Sequence, residues 1–235
     1  LDLLTPEETF ELLGHTYEHS IKIPYFDING VQTDFCRVKI LMPKSKDYRY
    51  SQRAKSGSHI YFTRDPIWPI AMNDVLVPII ITEGELKAFT ITKHLNDMNY
   101  AVIGLAGVTS WSDKSGLPMH KDLMQIKWKA KGPMGTSTPR EVYIIFDYDG
   151  KEANGEPNAQ VQQAESRLAI TLAGLGANVH MCRVGRNQQI GHKYAIDDHL
   201  NGGGLLDDVL QSGDTFKYAQ NSRDMHLYMA KTKWG

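Results

Sequence analysis

Only two cysteines occur in the 235 residues, Cys36 and Cys182, far apart and in different neighbourhoods. That excludes a disulfide framework and a cysteine-based zinc cluster, and it fits a reducing compartment. No apolar stretch approaches the ~20 residues that a membrane span needs, so no membrane partner is expected. Excess charge is also missing. At a net −1 the chain has no global basic field, and any binding of nucleic acid would have to use a local patch. There is no internal repeat and no low-complexity tract. The nine histidines show no metal-ligand spacing. Gly104-x-x-Gly107 lacks the glycine spacing of a dinucleotide fingerprint. The opening residues, Leu1-Asp2-Leu3-Leu4-Thr5-Pro6-Glu7-Glu8, have neither a basic leader region nor an initiator Met, and the expectation is a piece of a longer polypeptide.

What is present is ordinary globular material, 41% hydrophobic and 23% charged, enough for one large domain or two small ones. Thr5-Pro6-Glu7-Glu8 starts a short helix that runs to about Gly14, with a capping Thr, a first-turn Pro and acids at the positive end of the dipole. Ile21 to Ile40 reads as a hairpin around Asp27-Ile28-Asn29-Gly30. Residues 48–63 are the most basic and aromatic part of the chain, and Pro66, Pro69 and Asn73-Asp74 mark a boundary after it. From Val75 strands and helices alternate. Strands are predicted at Ile79–Thr82, Ala101–Leu105, Val142–Phe146 and Val179–Val184. A helix is predicted over Glu85–Asn96, with Leu86, Phe89 and Leu95 facing inward. A second, capped by Asn158, carries Val161, Ala164, Leu168, Leu172 and Leu175 on one face. Ala195 opens a third. The expected architecture is α/β: a basic α+β lobe over 1–73, a mostly parallel sheet flanked by helices over 74–200, and a helical tail over 201–235. Residues 109–140 form a long irregular insertion in which Trp111 and Trp128 are core or partner contacts.

Two of these strands end in an acid followed by glycine. One reads Ile79-Ile80-Ile81-Thr82-Glu83-Gly84, the other Ile144-Ile145-Phe146-Asp147-Tyr148-Asp149-Gly150. Such short β-branched or aromatic runs read as buried parallel strands. A carboxylate directly after one sits at the carboxyl edge of the sheet, where open α/β folds bind their ligands. Either motif alone is a common turn signal. Together they bring three carboxylates to one edge, and the pair Asp197-Asp198 follows the next strand. Close like charges repel, and a hard divalent cation is the usual remedy. The pattern points to metal-dependent phosphate chemistry.

Thr82-Glu83-Gly84-Glu85-Leu86-Lys87-Ala88 resembles the EGExKA motif of the Toprim domain in phage- and plasmid-type DNA primases. Phe146-Asp147-Tyr148-Asp149-Gly150 is similar to the primase FDGDxAG motif. Gly191-His192-Lys193-Tyr194-Ala195-Ile196-Asp197-Asp198 is loosely similar to GKDPDE, without its Pro. Arg37-Val38, Asp47-Tyr48-Arg49-Tyr50 and Tyr61-Phe62 look like the stretch that precedes Toprim in primases. Bacterial primases usually have Asp where this chain has Lys87, and the zinc module often found ahead of primase cores is absent from the chain.

The resemblance implies a primase-type nucleotidyltransferase that makes primers on a single-stranded DNA template. Asp147 and Asp149, with Asp197 or Asp198, would hold Mg²⁺ or Mn²⁺. Glu83 would be a metal ligand or general base. Lys87 would face phosphate or pair with Glu83 one turn away. Arg37, Arg49, Arg53 and Lys55 would grip the template, with Tyr48 or Tyr50 stacking on bases, or form a solvated face. Arg183, Arg186 and Lys193 are candidates for the triphosphate. Implied partners are nucleoside triphosphates and a fused or associated replicative helicase, in the cytoplasm of a bacterial or archaeal host. Two other functions remain open: a Toprim nuclease, and a non-catalytic module that binds nucleic acid or nucleotide.

Overall fold

The computed structural model describes residues 1–43, 48–112, 115–147, 158–184 and 194–216. Strand β1 (Asp2–Leu4) leads into helix α1 (Pro6–Leu13). The helix opens with a reciprocal cap: Glu8 N–H donates to Thr5 Oγ1 at 3.2 Å, and Thr5 N–H donates to Glu8 Oε2 at 2.8 Å. Strands β2 (Ser20–Phe26) and β3 (Gln32–Ile40) form the expected hairpin. Its turn is held by Asp27 Oδ1, which accepts from the amides of Asn29 and Val31, each at 2.9 Å. With β4 (Tyr50–Gln52) these strands make an antiparallel sheet in the order β1-β2-β3-β4.

Next come β5 (Ile60–Phe62), α2 (Trp68–Ala71), β6 (Ile79–Glu83), α3 (Glu85–Lys93) and β7 (Ala101–Leu105). The excursion contributes a small hairpin, β8 (Lys129–Lys131) with β9 (Ser137–Pro139). Then follow β10 (Glu141–Ile145), α4 (Ala159–Gly174), β11 (Asn178–Met181), α5 (Ile196–Asn201), α6 (Leu206–Gln211) and β12 (Asp214–Thr215). The six-stranded sheet runs β12-β11-β10-β6-β7-β5. Its four inner strands are parallel, and β5 and β12 close the edges antiparallel. The fold is α/β, as the strand–helix rhythm predicts. The sheet takes strands from all three of the spans 1–73, 74–200 and 201–235, since β5 lies before Pro66 and β12 after the Gly202-Gly203-Gly204 run.

Both faces of this sheet are buried, and adjacent residues divide between them. Ile79, Ile81, Val142 and Ile144 join one core with Trp68, Leu168 and Leu172. Ile80 and Ile145 point into the other, with Ala88, Ile91, Ile196 and Leu206. The excursion is core material as well, because Trp111, Met119, Leu123 and Trp128 pack into the first cluster. That decides the open alternative for both tryptophans. Arg140, fully buried, pins this segment. Its guanidinium donates to the carbonyls of Lys127 at 2.7 Å, Ala71 at 2.6 Å and Val77 at 2.5 Å.

Helix α3 differs from its sequence reading. Its buried positions are Glu85, Ala88 and Ile91. Leu95, just past the helix end, is buried as predicted, whereas Leu86 is only partly covered and Phe89 lies under the Lys93 ammonium, 4.7 Å from the ring centre. The face is rotated because Glu85 turns inward to meet charged and hydroxyl partners on the N-terminal sheet. No described helix is long and apolar enough to cross a membrane.

Candidate active-site cleft

Glu83 is the last residue of β6, and the chain turns at once into α3. Gly84 makes this possible. Its φ of +91° lies where side chains are strained, and its amide donates to Leu105 O at 2.6 Å. The neighbouring strand must also come close. A Cβ at Gly104 would stand 3.0 Å from both Gly84 O and Tyr61 Cδ1. In the register of the parallel strands Ile145 lies beside Thr82, whose hydroxyl donates to Ile145 O at 2.8 Å. Asp147, two residues further on, therefore leaves the sheet next to Glu83.

These acids open into a cleft of about 410 Å³ between the two sheets. Glu83, Lys87 and Asp147 form its floor, and Asp197 and Asp198 enter from α5. Lys39, Arg49 and Tyr50 of the N-terminal sheet line the opposite side. Asp147 is only 5% exposed, and its Oδ2 is bound by the Lys87 ammonium. Lys87 thus holds the second acidic motif, a partner that neither sequence alternative named. The two acids of α5 differ in their roles. Asp198 is exposed, and its Oδ2 accepts from Ala195 N–H at 3.0 Å, capping the helix. Asp197 Oδ1 is buried with no hydrogen-bond partner among the described residues.

A second set of charges, in the wall of the same cleft, joins the two sheets. Glu85, 1% exposed, accepts at Oε1 from Tyr25 Oη and from Arg37 Nη1, each at 2.5 Å. Burial, and then the Glu85 charge, push the Tyr25 hydroxyl far above its ordinary pKa. The Arg37 guanidinium lies 4.8 Å from the Tyr50 ring centre, and burial followed by Glu85 raises the Tyr50 phenol to about 12. Arg37 is therefore tied to Glu85, rather than free along a strand path. Glu85 stands within the first motif, yet its position in the sequence gives it no role. Only the burial of its helix face, which depends on the other sheet, distinguishes it from a solvated first-turn acid.

The other predicted contacts scatter. Arg49 lines the cleft, whereas Tyr48, Arg53 and Lys55 are exposed outside its lining. Arg183 makes a two-pronged pair with the buried Glu165, at 2.6 and 2.5 Å, and shares a narrow recess with Asp147. Asp149, Arg186 and Lys193 lie outside the described residues. Carboxylate oxygens are the right donors for a hard cation. Among the described residues, however, no group of three or more His, Cys, Asp or Glu side chains is close enough to hold a metal ion.

The same architecture occurs in DNA primases. A crystal structure of the Aquifex aeolicus primase (zinc-binding and RNA polymerase domains) superposes with a TM-score of 0.54 at 14% identity, over 99% of this chain and 52% of that one. A DNA primase domain from Pseudomonas aeruginosa gives 0.55 at 10% identity, over 93% and 58%. A DnaG primase catalytic domain bound to ssDNA gives 0.53 at 10%, over 86% and 54%. The chain thus spans little more than half of each, and what it shares with them is the fold of the primase catalytic core. By sequence it belongs to the family described as Domain of unknown function (DUF3854), which matches residues 67–204. None of the curated proteins matches it.

Proposed function

We propose that the chain is the Toprim-type core of a phage- or plasmid-type primase, a nucleotidyltransferase that builds primers on single-stranded DNA from nucleoside triphosphates. The observation that carries this is the convergence of Glu83, Asp147 and Asp197, from three separate segments, on one cleft faced by Lys39 and Arg49. The fold shared with DNA primases supports it, and so does the ssDNA held by one of them. In this reading Glu83, Asp147 and Asp197, completed by Asp149, would hold Mg²⁺ or Mn²⁺. When bound, such an ion neutralises triphosphate charge. Glu83 would act either as one of these ligands or as the base that accepts the proton of the attacking hydroxyl, and Arg49 and Lys39 would fix phosphates by charge. A replicative helicase, fused or associated, is the partner this activity would serve.

One observation favours a second reading, a binding module without catalysis. Asp147 already carries a cation, Lys87, at the position where bacterial primases usually have Asp. Incubating the chain with single-stranded template, labelled nucleoside triphosphates and Mn²⁺ separates the two. The primase reading predicts extended product, and a fall of about 10²-fold or more in Glu83→Gln with template affinity unchanged. Template binding without product in the wild type favours the binding module, and metal-dependent cleavage of the template without triphosphates favours a nuclease.

A further inference from the structure

Beside the acidic cleft lies a larger cavity of about 760 Å³, within the roughly 300–1,000 Å³ range of small-molecule sites. Arg37 and Ala106 belong to the walls of both, so the two spaces adjoin. Their chemistry differs. The cleft is lined with carboxylates and cations. Among the described residues of the cavity wall only Arg37 carries a fixed charge, and Glu85 neutralises it. This space suits a neutral group better than a phosphate.

Its wall is aromatic. The rings of Phe35 and His59 stack with centroids 3.8 Å apart and planes 17° apart. Tyr25, itself buried, meets both edge-on, at 4.7 Å from Phe35 and 6.3 Å from His59. The His59 ring is also fixed by its Nε2–H, which donates to Ser56 O at 2.8 Å. A stack braced on its edge and tied through one nitrogen is a rigid platform, and a further flat ring joins it at little ordering cost. Polar groups stand nearby to read the edge of such a ring. The Gln52 amide nitrogen is spent on Ser56 Oγ at 3.1 Å and Gly57 O at 2.8 Å, which fixes the side chain and leaves its carbonyl oxygen to accept. Thr109 brings a hydroxyl to the same wall.

We infer that this cavity is a nucleobase pocket: an unpaired base stacks on the Phe35–His59 platform while its phosphates run toward Arg49 and the acidic cleft. The inference rests on the nucleotidyltransferase reading of that cleft and adds where a base is held. Two sources share the chemistry, a base of the single strand and the base of a free nucleoside triphosphate.

The test compares the 235-residue chain and its His59→Ala variant on three probes. These are oligothymidylate, an abasic strand of equal length and charge, and a free nucleoside triphosphate. Wild type is expected to bind oligothymidylate about tenfold tighter than the abasic strand, the scale of one stacked base. His59→Ala should lose that ratio and leave the abasic affinity unchanged. Gln52→Ala is the second variant should His59→Ala fail to fold, with a smaller loss of the same ratio. A loss confined to the strand assigns the pocket to the template, and one confined to the triphosphate assigns it to the incoming nucleotide. Either supports a base pocket. Equal wild-type affinity for base-bearing and abasic strands, with triphosphate binding unchanged in both variants, overturns the pocket alone. Failure of wild type to bind any of the three probes overturns the reading of the cleft and the pocket with it.

Discussion

Arg37 and Lys87 are each held by an acid that lies far away in sequence, and both pairs are buried enough to matter. Arg37 and Glu85 lock the N-terminal sheet to α3, with side chains 13% and 1% exposed. Removing one partner of such a pair leaves the other as an uncompensated buried charge. Arg37→Ala is therefore expected to cost about 3 kcal/mol or more, read from the urea midpoint. A loss below roughly 1 kcal/mol, the level of an exposed pair, would show that the lobes are not held this way. Lys87 and Asp147 form the other pair. Lys87→Met should lose a similar ~3 kcal/mol in chelator, and millimolar Mn²⁺ should restore part of it by taking the place of the ammonium on Asp147. A loss that Mn²⁺ leaves untouched would mean that the ammonium serves packing alone. Neither pair was legible in the sequence, since 48 and 60 positions separate the partners and each residue alone fits a solvated surface.

At the scale of elements, the sequence read well where structure is local. The Thr5 cap, the Asp27–Gly30 turn and the 3- and 4-residue spacing over Val161–Leu172 all became the elements they predict, because each signal and its partner lie within a few residues. Strand ends shifted instead. β11 stops at Met181, three residues short of the predicted end at Val184, its last pair being with Ile144, one residue before β10 ends. The excursion over 109–140 misled most. Its glycines, prolines and lysines look like loop, yet five of its large apolar residues, Trp111, Met119, Leu123, Ile126 and Trp128, cover one face of the sheet. Arg140 ties the excursion to the segment ahead of β6, satisfying the carbonyl of Lys127 within it and those of Ala71 and Val77 outside it. Arg140→Met keeps bulk but strands three carbonyls, each costing about 1–3 kcal/mol. The variant should lose at least ~3 kcal/mol and expose Trp111 and Trp128 to quenchers; unchanged stability and quenching would show that the excursion holds without its pin.

On the scale of the whole molecule, the acids that the sequence singled out and the basic strands ahead of them belong to different sheets, and the cleft exists only where these meet. The carboxyl-edge rule brought Glu83 and Asp147 to one place. It could not show that Lys87 would sit on Asp147, or that the aromatic cavity would adjoin the cleft, because both depend on how the sheets pack. The central claim is that the three acidic segments work as one cation-demanding site. It is tested most directly by the melting temperature of wild type and Asp147→Asn as Mn²⁺ is titrated with a nucleoside triphosphate present. A shared site predicts a rise in wild type that grows with ligand, approaching about 2.7 kcal/mol of added stability at a hundredfold excess over Kd, and a much smaller rise in Asp147→Asn. A wild-type melting temperature that ignores millimolar Mn²⁺ and triphosphate would contradict it.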